Sequence, residues 1–467
     1  MQAAPGVWFC QARPADCAWG HKMIKWFIRI VLALVLLPVM AVGIYTGWNW
    51  VQLRPDAAFV SYLKDNATPI DLRSSSPFAI TEQDLNKRLI LLGEIHGIAV
   101  GQDLDFALLR MLNARTGVRY YVGEFDPAQA AELNAYLDTG DEARLQRVFS
   151  LWVAESAQWG NAEFMQKIRR IATLNASLPP AKRIRFIGMD RVQDMPLMAA
   201  HLDRLLKSIP SGSWPGQSGL METLKADVAR TQNAADAMLP LAAVEASKTL
   251  SPMAPAGVDA ATWKSLREAV LNLSDRATLK GRESAITASF ERLARDPDMG
   301  AEKFYGFWGQ FHVLDATIQG GKPFVRRLQE GDTPFKGNIV SLNIVNLDSN
   351  MMLPARQMGF AEKYISLPYS LDNPLLVFVS GINDAKEAAT GPLTLFRMNA
   401  ANSPYPGTNK LGAVGGLLGM LQPFVLDAAS VGPNGASQYM ILSKGSPATT
   451  PLPETASKSQ VKESGPQ

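Results

Sequence analysis

Cysteine is almost missing from this chain. There are two, Cys10 and Cys17, and both precede a long apolar run near the N-terminus. The remainder therefore has no disulfide, no thiolate metal site and no cysteine nucleophile, which is compatible with any compartment. Histidine is nearly as scarce, with four in 467 residues. Charge is close to balanced, at a formal +3. That excludes the strongly basic face on which nucleic-acid binding depends, so no nucleic-acid partner is expected. Long-period repeats are also lacking, which excludes a solenoid. What is present in quantity is apolar material, 47% of the residues, enough for a sizeable core.

The run from Ile30 to Trp48 carries no charge over 19 residues, close to the roughly 20 that a membrane-spanning helix needs. Lys22, Lys25 and Arg29 precede it, whereas Asn49 to Leu53 are uncharged. The positive-inside rule then keeps residues 1–29 in the cytoplasm and places the body outside it. A cleaved signal peptide would have a shorter apolar core and a small-residue cleavage site, which this segment does not show. The expectation is a single-pass signal anchor at 30–48 in a bacterial inner membrane, with the folded part in the periplasm. Met23 stands just before most of the basic cluster and is an alternative start, which would leave 1–22 untranslated.

Residues 49–80 read as a linker, with Pro55, Pro69, Pro77 and three successive serines from Ser74. Residues 444–467, rich in Pro, Ser, Thr and Lys, read as a disordered tail. Between them, 81–443 reads as an α/β domain. Short apolar runs predict strands at Leu89–Leu92, Tyr120–Val122, Ile184–Ile187, Phe304–Trp308, Ile339–Ile344, Leu375–Val379 and Tyr439–Leu442. Helical patterns separate most of them, which predicts a mixed, largely parallel central sheet flanked by helices. Residues 195–300 are helical almost throughout and read as an inserted cap.

Chemistry gathers where the strands end. Gly93-Glu94-Ile95-His96 closes the first run and Gly309-Gln310-Phe311-His312 the fourth. The second ends in Gly123-Glu124 and the third in Gly188-Met189-Asp190-Arg191. In an open α/β sheet the carboxyl ends of the strands are where ligands bind. Two histidines with one to three carboxylates suit zinc, manganese or iron, and such an ion activates water and polarises a carbonyl. Without a metal, His96 oriented by Glu94 or Glu124 is a general base for water, and Arg191, or the nearer Arg110, stabilises a developing oxyanion. A carboxylate at a strand-to-helix junction also caps the following helix; Asp126 before Pro127 is read that way. His201, within a helical pattern, is read as a packing or surface residue.

These motifs resemble a superfamily that unites Tiki/TraB proteins, ChaN-like haem-binding lipoproteins and erythromycin esterases. Paired Gly-x-x-His motifs with an intervening glutamate mark the Tiki branch of membrane-tethered metalloproteases. Leu92-Gly93-Glu94-Ile95-His96 followed by a helix and Glu124 resembles the ChaN branch. The stretch Glu124 to Asp141, containing Ala131 to Leu137, and the later Gly188-Met189-Asp190 are similar to esterase-like members. The resemblance implies a hydrolase of peptide or ester bonds acting on a small-molecule or peptide substrate. His96, His312 and Glu124 would be metal ligands; His96, Glu124, Glu94 and Arg191 would be catalytic. The alternative it implies is non-catalytic capture of haem or iron. Two departures matter: Gly309 stands where esterases carry a further histidine, and no lipidated cysteine follows the apolar segment as in ChaN-type proteins.

Overall fold

The computed structural model describes residues 14–421 and 424–454. Eight strands form the central sheet: β1 (Ala67–Pro69), β2 (Leu89–Glu94), β3 (Tyr120–Gly123), β4 (Arg185–Gly188), β5 (Phe304–Gly309), β6 (Ile339–Leu347), β7 (Leu393–Arg397) and β8 (Tyr439–Lys444). Their order across the sheet is β1-β7-β8-β6-β2-β5-β3-β4. From β8 to β4 every neighbouring pair is parallel; only β7 runs against the rest, and β1, antiparallel to β7, points the same way as the others. The sheet is therefore mixed and mostly parallel, as the alternation of strands and helices predicts.

The central strands are buried at every position, because helices cover both faces. The helices that matter below are α1 (Pro14–Gln52), α2 (Val100–Thr116), α3 (Pro127–Thr139), α4 (Ala162–Ser177), α5 (Met195–Lys207), α6 (Ala260–Thr278), α7 (Arg282–Arg295) and α8 (Gly416–Leu421). Ile90 and Leu92 of β2 pack into one core with Leu108, Leu112, Leu133 and Ile168 from α2, α3 and α4. Leu89 and Leu91, alternating to the other face, meet Phe304, Trp308 and the Ile286 and Phe290 side chains of α7. Asp126 does cap α3: its carboxylate accepts the Ala128 and Gln129 amides, with Pro127 in the first turn. His201 is a buried packing residue of α5, and burial lowers its pKa to about 4.

The helices between α5 and α6 surround a core of their own, built on Leu202, Trp214, Trp263 and Leu266. Asn272 of α6 clamps this unit to the end of β4, donating to the Asp190 carbonyl and accepting the Val192 amide.

Three segments differ from expectation. Residues 49–80 are not a bare linker: Ala57–Asp65 is a helix, and β1 pairs with β7 at the sheet edge. Val377–Val379 joins a separate three-stranded sheet rather than the central one, because its partners are short local strands. Residues 444–454 of the expected tail pack on the domain, with Thr449 buried and bridges at Ile98–Ala448 and Asn161–Pro451. Residues 455–467 and 1–13 lie outside the described residues.

Candidate active site

Sheet order brings the four strand ends side by side as β2, β5, β3, β4. The chain leaves β2 for β3 on one side, and β5 leads to β6 on the other, so the β2–β5 boundary is a topological switch point, where α/β sheets open a crevice. His96 follows β2, His312 follows β5, Glu124 follows β3 and Asp190 follows β4. A methyl placed on Gly309 would come within 3.1 Å of His96 Nε2 and 3.4 Å of His312 Cδ2. The two rings thus flank one point, and the missing side chain leaves the space between them open.

His96 is half-buried beside Trp159, with ring centroids 4.7 Å apart. Its Nδ1 is 2.9 Å from Glu94 Oε1, which fixes the ring and leaves Nε2 directed at Gly309. Glu94 is buried under the first turn of α2, and burial raises its pKa. Burial would lower that of His96, but the Glu94 hydrogen bond and the charges of Glu94 and Glu124 outweigh it, so the net direction is upward.

Glu124 is buried and fully engaged. Oε2 accepts the Gly309 amide at 2.7 Å; Oε1 accepts Arg282 Nη2 at 2.7 Å and stands 3.5 Å from His312 Nε2. Burial alone would raise its pKa, but His312, His96 and Arg282 together hold it well below the usual carboxylate range. Arg282 also grips buried Asp190, with Nε at 2.9 Å from Oδ1 and Nη2 at 2.5 Å from Oδ2, while its Nη1 lies 3.3 Å from His312 Nε2. On the other edge of His312, Nδ1 is 2.6 Å from Glu283 Oε1, an ion-pair contact out of line for a hydrogen bond.

Arg282 and Glu283 open α7 and carry no motif, so nothing in the sequence separates them from an ordinary helix start. They are the site residues that sequence reasoning missed. Arg191 does not take the part expected of it: its backbone amide donates to Asp190, and the guanidinium reaching Glu124 and His312 is that of Arg282. Asp190 lies in front of Arg191 and binds the arginine from α7 instead. Arg110 is elsewhere, bonded to the Ser74 carbonyl.

A resident divalent ion does not fit this donor set. The oxygens of Glu124 already hold a guanidinium and a backbone amide, and the same guanidinium faces His312 Nε2. Among the described residues no group of three His, Cys, Asp or Glu side chains is arranged to hold a metal. The expected His96–Glu124–His312 ligand set is brought together in space, but two of its members, Glu124 and His312, already face the positive charge of Arg282.

Solved structures carry the same architecture. A Bacillus cereus protein superposes with a TM-score of 0.65 at 16% identity, covering 85% of this chain and all of its own. A succinoglycan biosynthesis protein gives 0.59 at 13%, covering 84% and 98%. An erythromycin esterase mutant in its open conformation gives 0.53 at 14%, covering 82% and 98%. The chain has the erythromycin esterase fold. No family model and no curated protein matches it.

His312 makes the site sensitive to alkali. Burial works against its charge, but Glu124 and Glu283 raise its pKa to about 9. A folded-state value above the unfolded one of roughly 6.5 gives stability that is complete below the unfolded pKa and lost as pH rises through the folded one. The urea midpoint should therefore fall from pH 7 to pH 9, and His312→Gln should flatten that fall. An equal slope in the variant would contradict the assignment.

Proposed function

We propose that this protein is a membrane-anchored hydrolase of ester or amide bonds that activates water with His96 and needs no metal. The observation that carries the reading is the Nε2 of His96, its Nδ1 tied to Glu94, directed at the side-chain-free Gly309 across from His312 and the Arg282 guanidinium that meets it. Nε2 takes a proton from water as the oxygen attacks the substrate carbonyl. The oxyanion that forms is stabilised by the cationic side of the site, Arg282 with protonated His312. His96 then returns the proton to the leaving group, which regenerates the neutral base. Glu94 positions His96, and Glu124 and Asp190 hold Arg282 in place. Likeness to an erythromycin esterase supports hydrolysis as the reaction class. Lys25–Gln52, long and apolar enough to cross a membrane, supports the anchor, with the domain on the periplasmic side.

The test is a panel of carboxylic esters, lactones and peptides offered to full-length protein with and without excess EDTA. Turnover that is unchanged by chelation is the expected result. Activity that disappears on chelation and returns with zinc, manganese or iron would restore the metal-dependent reading. A haemin titration separates the haem-capture alternative: no Soret shift dependent on His96 is expected.

A further inference from the structure

We propose that the folded domain rests on the bilayer through an apolar lip made of α8 and Leu376, beside the point where α1 leaves the membrane. The proposal rests on the reading of α1 as a membrane anchor. Helix α8 reads Gly-Leu-Leu-Gly-Met-Leu, and Leu417, Leu418, Met420 and Leu421 are between 40% and 78% exposed. Its inner side is Gly419, where a methyl would meet the Val414 carbonyl at 2.9 Å. The small residue lets the helix lie flat on the domain and turns its large side chains outward. Leu376, also exposed, continues the patch, since the Leu417 and Leu418 amides donate to the Leu375 and Leu376 carbonyls.

Scattered exposed leucines are ordinary on a soluble protein, but a contiguous cluster of this kind marks an interaction surface. Its occupant is indicated by what it is attached to. Asn49, near the end of α1, donates to the Pro374 carbonyl at 2.8 Å, immediately before Leu375 and Leu376. Asn383 donates to the Leu53 carbonyl at 2.9 Å, and Leu53 is buried in the domain. The end of the anchor and the lip are therefore held in one unit, with exposed Trp48 and Trp50 at the level where a bilayer interface favours tryptophan. Residues 373–383, 411–421 and 424–426 carry no charged side chain, so nothing among these residues of the lip resists burial among acyl chains. Leu411 and Leu426, at the two ends of the lip segment, line a cavity of about 40 Å³ that Gln310 and Asn343 also line. Docking would bring that cavity, and with it the loop carrying His312, close to the membrane surface.

Depth quenching tests this on the full chain in nanodiscs of phosphatidylcholine with some phosphatidylglycerol. In a background of Cys10→Ser and Cys17→Ser, an environment-sensitive fluorophore is attached at Leu421→Cys, Val35→Cys or Glu222→Cys. Val35 reports on the anchor, and Glu222, exposed on the helix Gln217–Lys225, reports on a water-facing position of the cap. The Leu421 label should be quenched about twofold by doxyl lipids and blue-shifted, as at Val35, with Glu222 unaffected. A quenched Val35 label with Leu421 as watery as Glu222 would overturn the lip while leaving the anchor standing. Failure at both Val35 and Leu421 would remove the anchor reading and the proposal with it.

Discussion

Replacing His96 by glutamine should lower kcat by about 10²- to 10⁴-fold, the usual contribution of a positioned general base, with little change in thermal unfolding. The glutamine amide can still donate to Glu94, so the buried carboxylate keeps a partner. Its pKa is already raised by burial, which lets it take a proton where the replacement fits poorly. KM should change much less than kcat, since the imidazole acts on water rather than on the bound substrate. The wild-type rate should climb with pH through a pKa above the ordinary histidine value, because the base is the neutral ring and its pKa is raised. That rising limb should be missing from the residual activity of His96→Gln. A variant that unfolds, or one that keeps its rate, would remove His96 from the chemistry.

The largest effect on stability should come from a residue outside the crevice. Lys167 of α4 is fully buried, with its ammonium 2.5 Å from Asp105 Oδ2 and over the rings of Phe164 and Phe307. Asp105 also accepts the hydroxyls of Tyr121 and Tyr305 at 2.8 and 2.7 Å. Burial lowers the Lys167 pKa, with Asp105 opposing it. Lys167→Met fills similar volume but strands a carboxylate in the core, which should cost about 3–5 kcal/mol. Pairing it with Asp105→Asn should recover more than half of the loss, because the charge that needed a partner is gone. Urea unfolding of the two variants measures this. A single substitution costing under about 1 kcal/mol would show that the pair is not what holds α2, α4 and the sheet together.

β2, β3 and β5 were legible because they sit inside a sheet covered by helices, so they read as short runs of apolar residues that reach a glycine at the end. The grouping of His96, Glu124 and His312 was legible for the same reason, each standing one to three residues beyond such a glycine. Lys167 was not, since a lysine in a helix is almost always solvated and its sequence looks like any polar position. Arg282 and Glu283 were hidden by distance: a helix far along the chain delivers them, and only packing of α7 against Trp308 and Phe304 shows that they arrive. Arg191 differs: it meets Asp190 through its backbone amide, and the guanidinium bonded to Glu124 and Asp190 comes from Arg282. Residues 57–69 carry turn-forming residues around a short amphipathic stretch. Their role at the sheet edge depends on pairing with β7, more than 300 residues away.

The central claim is that a guanidinium, not a metal ion, supplies the positive charge among Glu124, Asp190 and His312. Crystals grown with millimolar zinc and measured on both sides of the zinc absorption edge address it directly. The account predicts no anomalous peak between His96, Glu124 and His312, and Arg282 density bridging the two carboxylates. A strong peak within bonding distance of those three side chains, with Arg282 displaced, would contradict it.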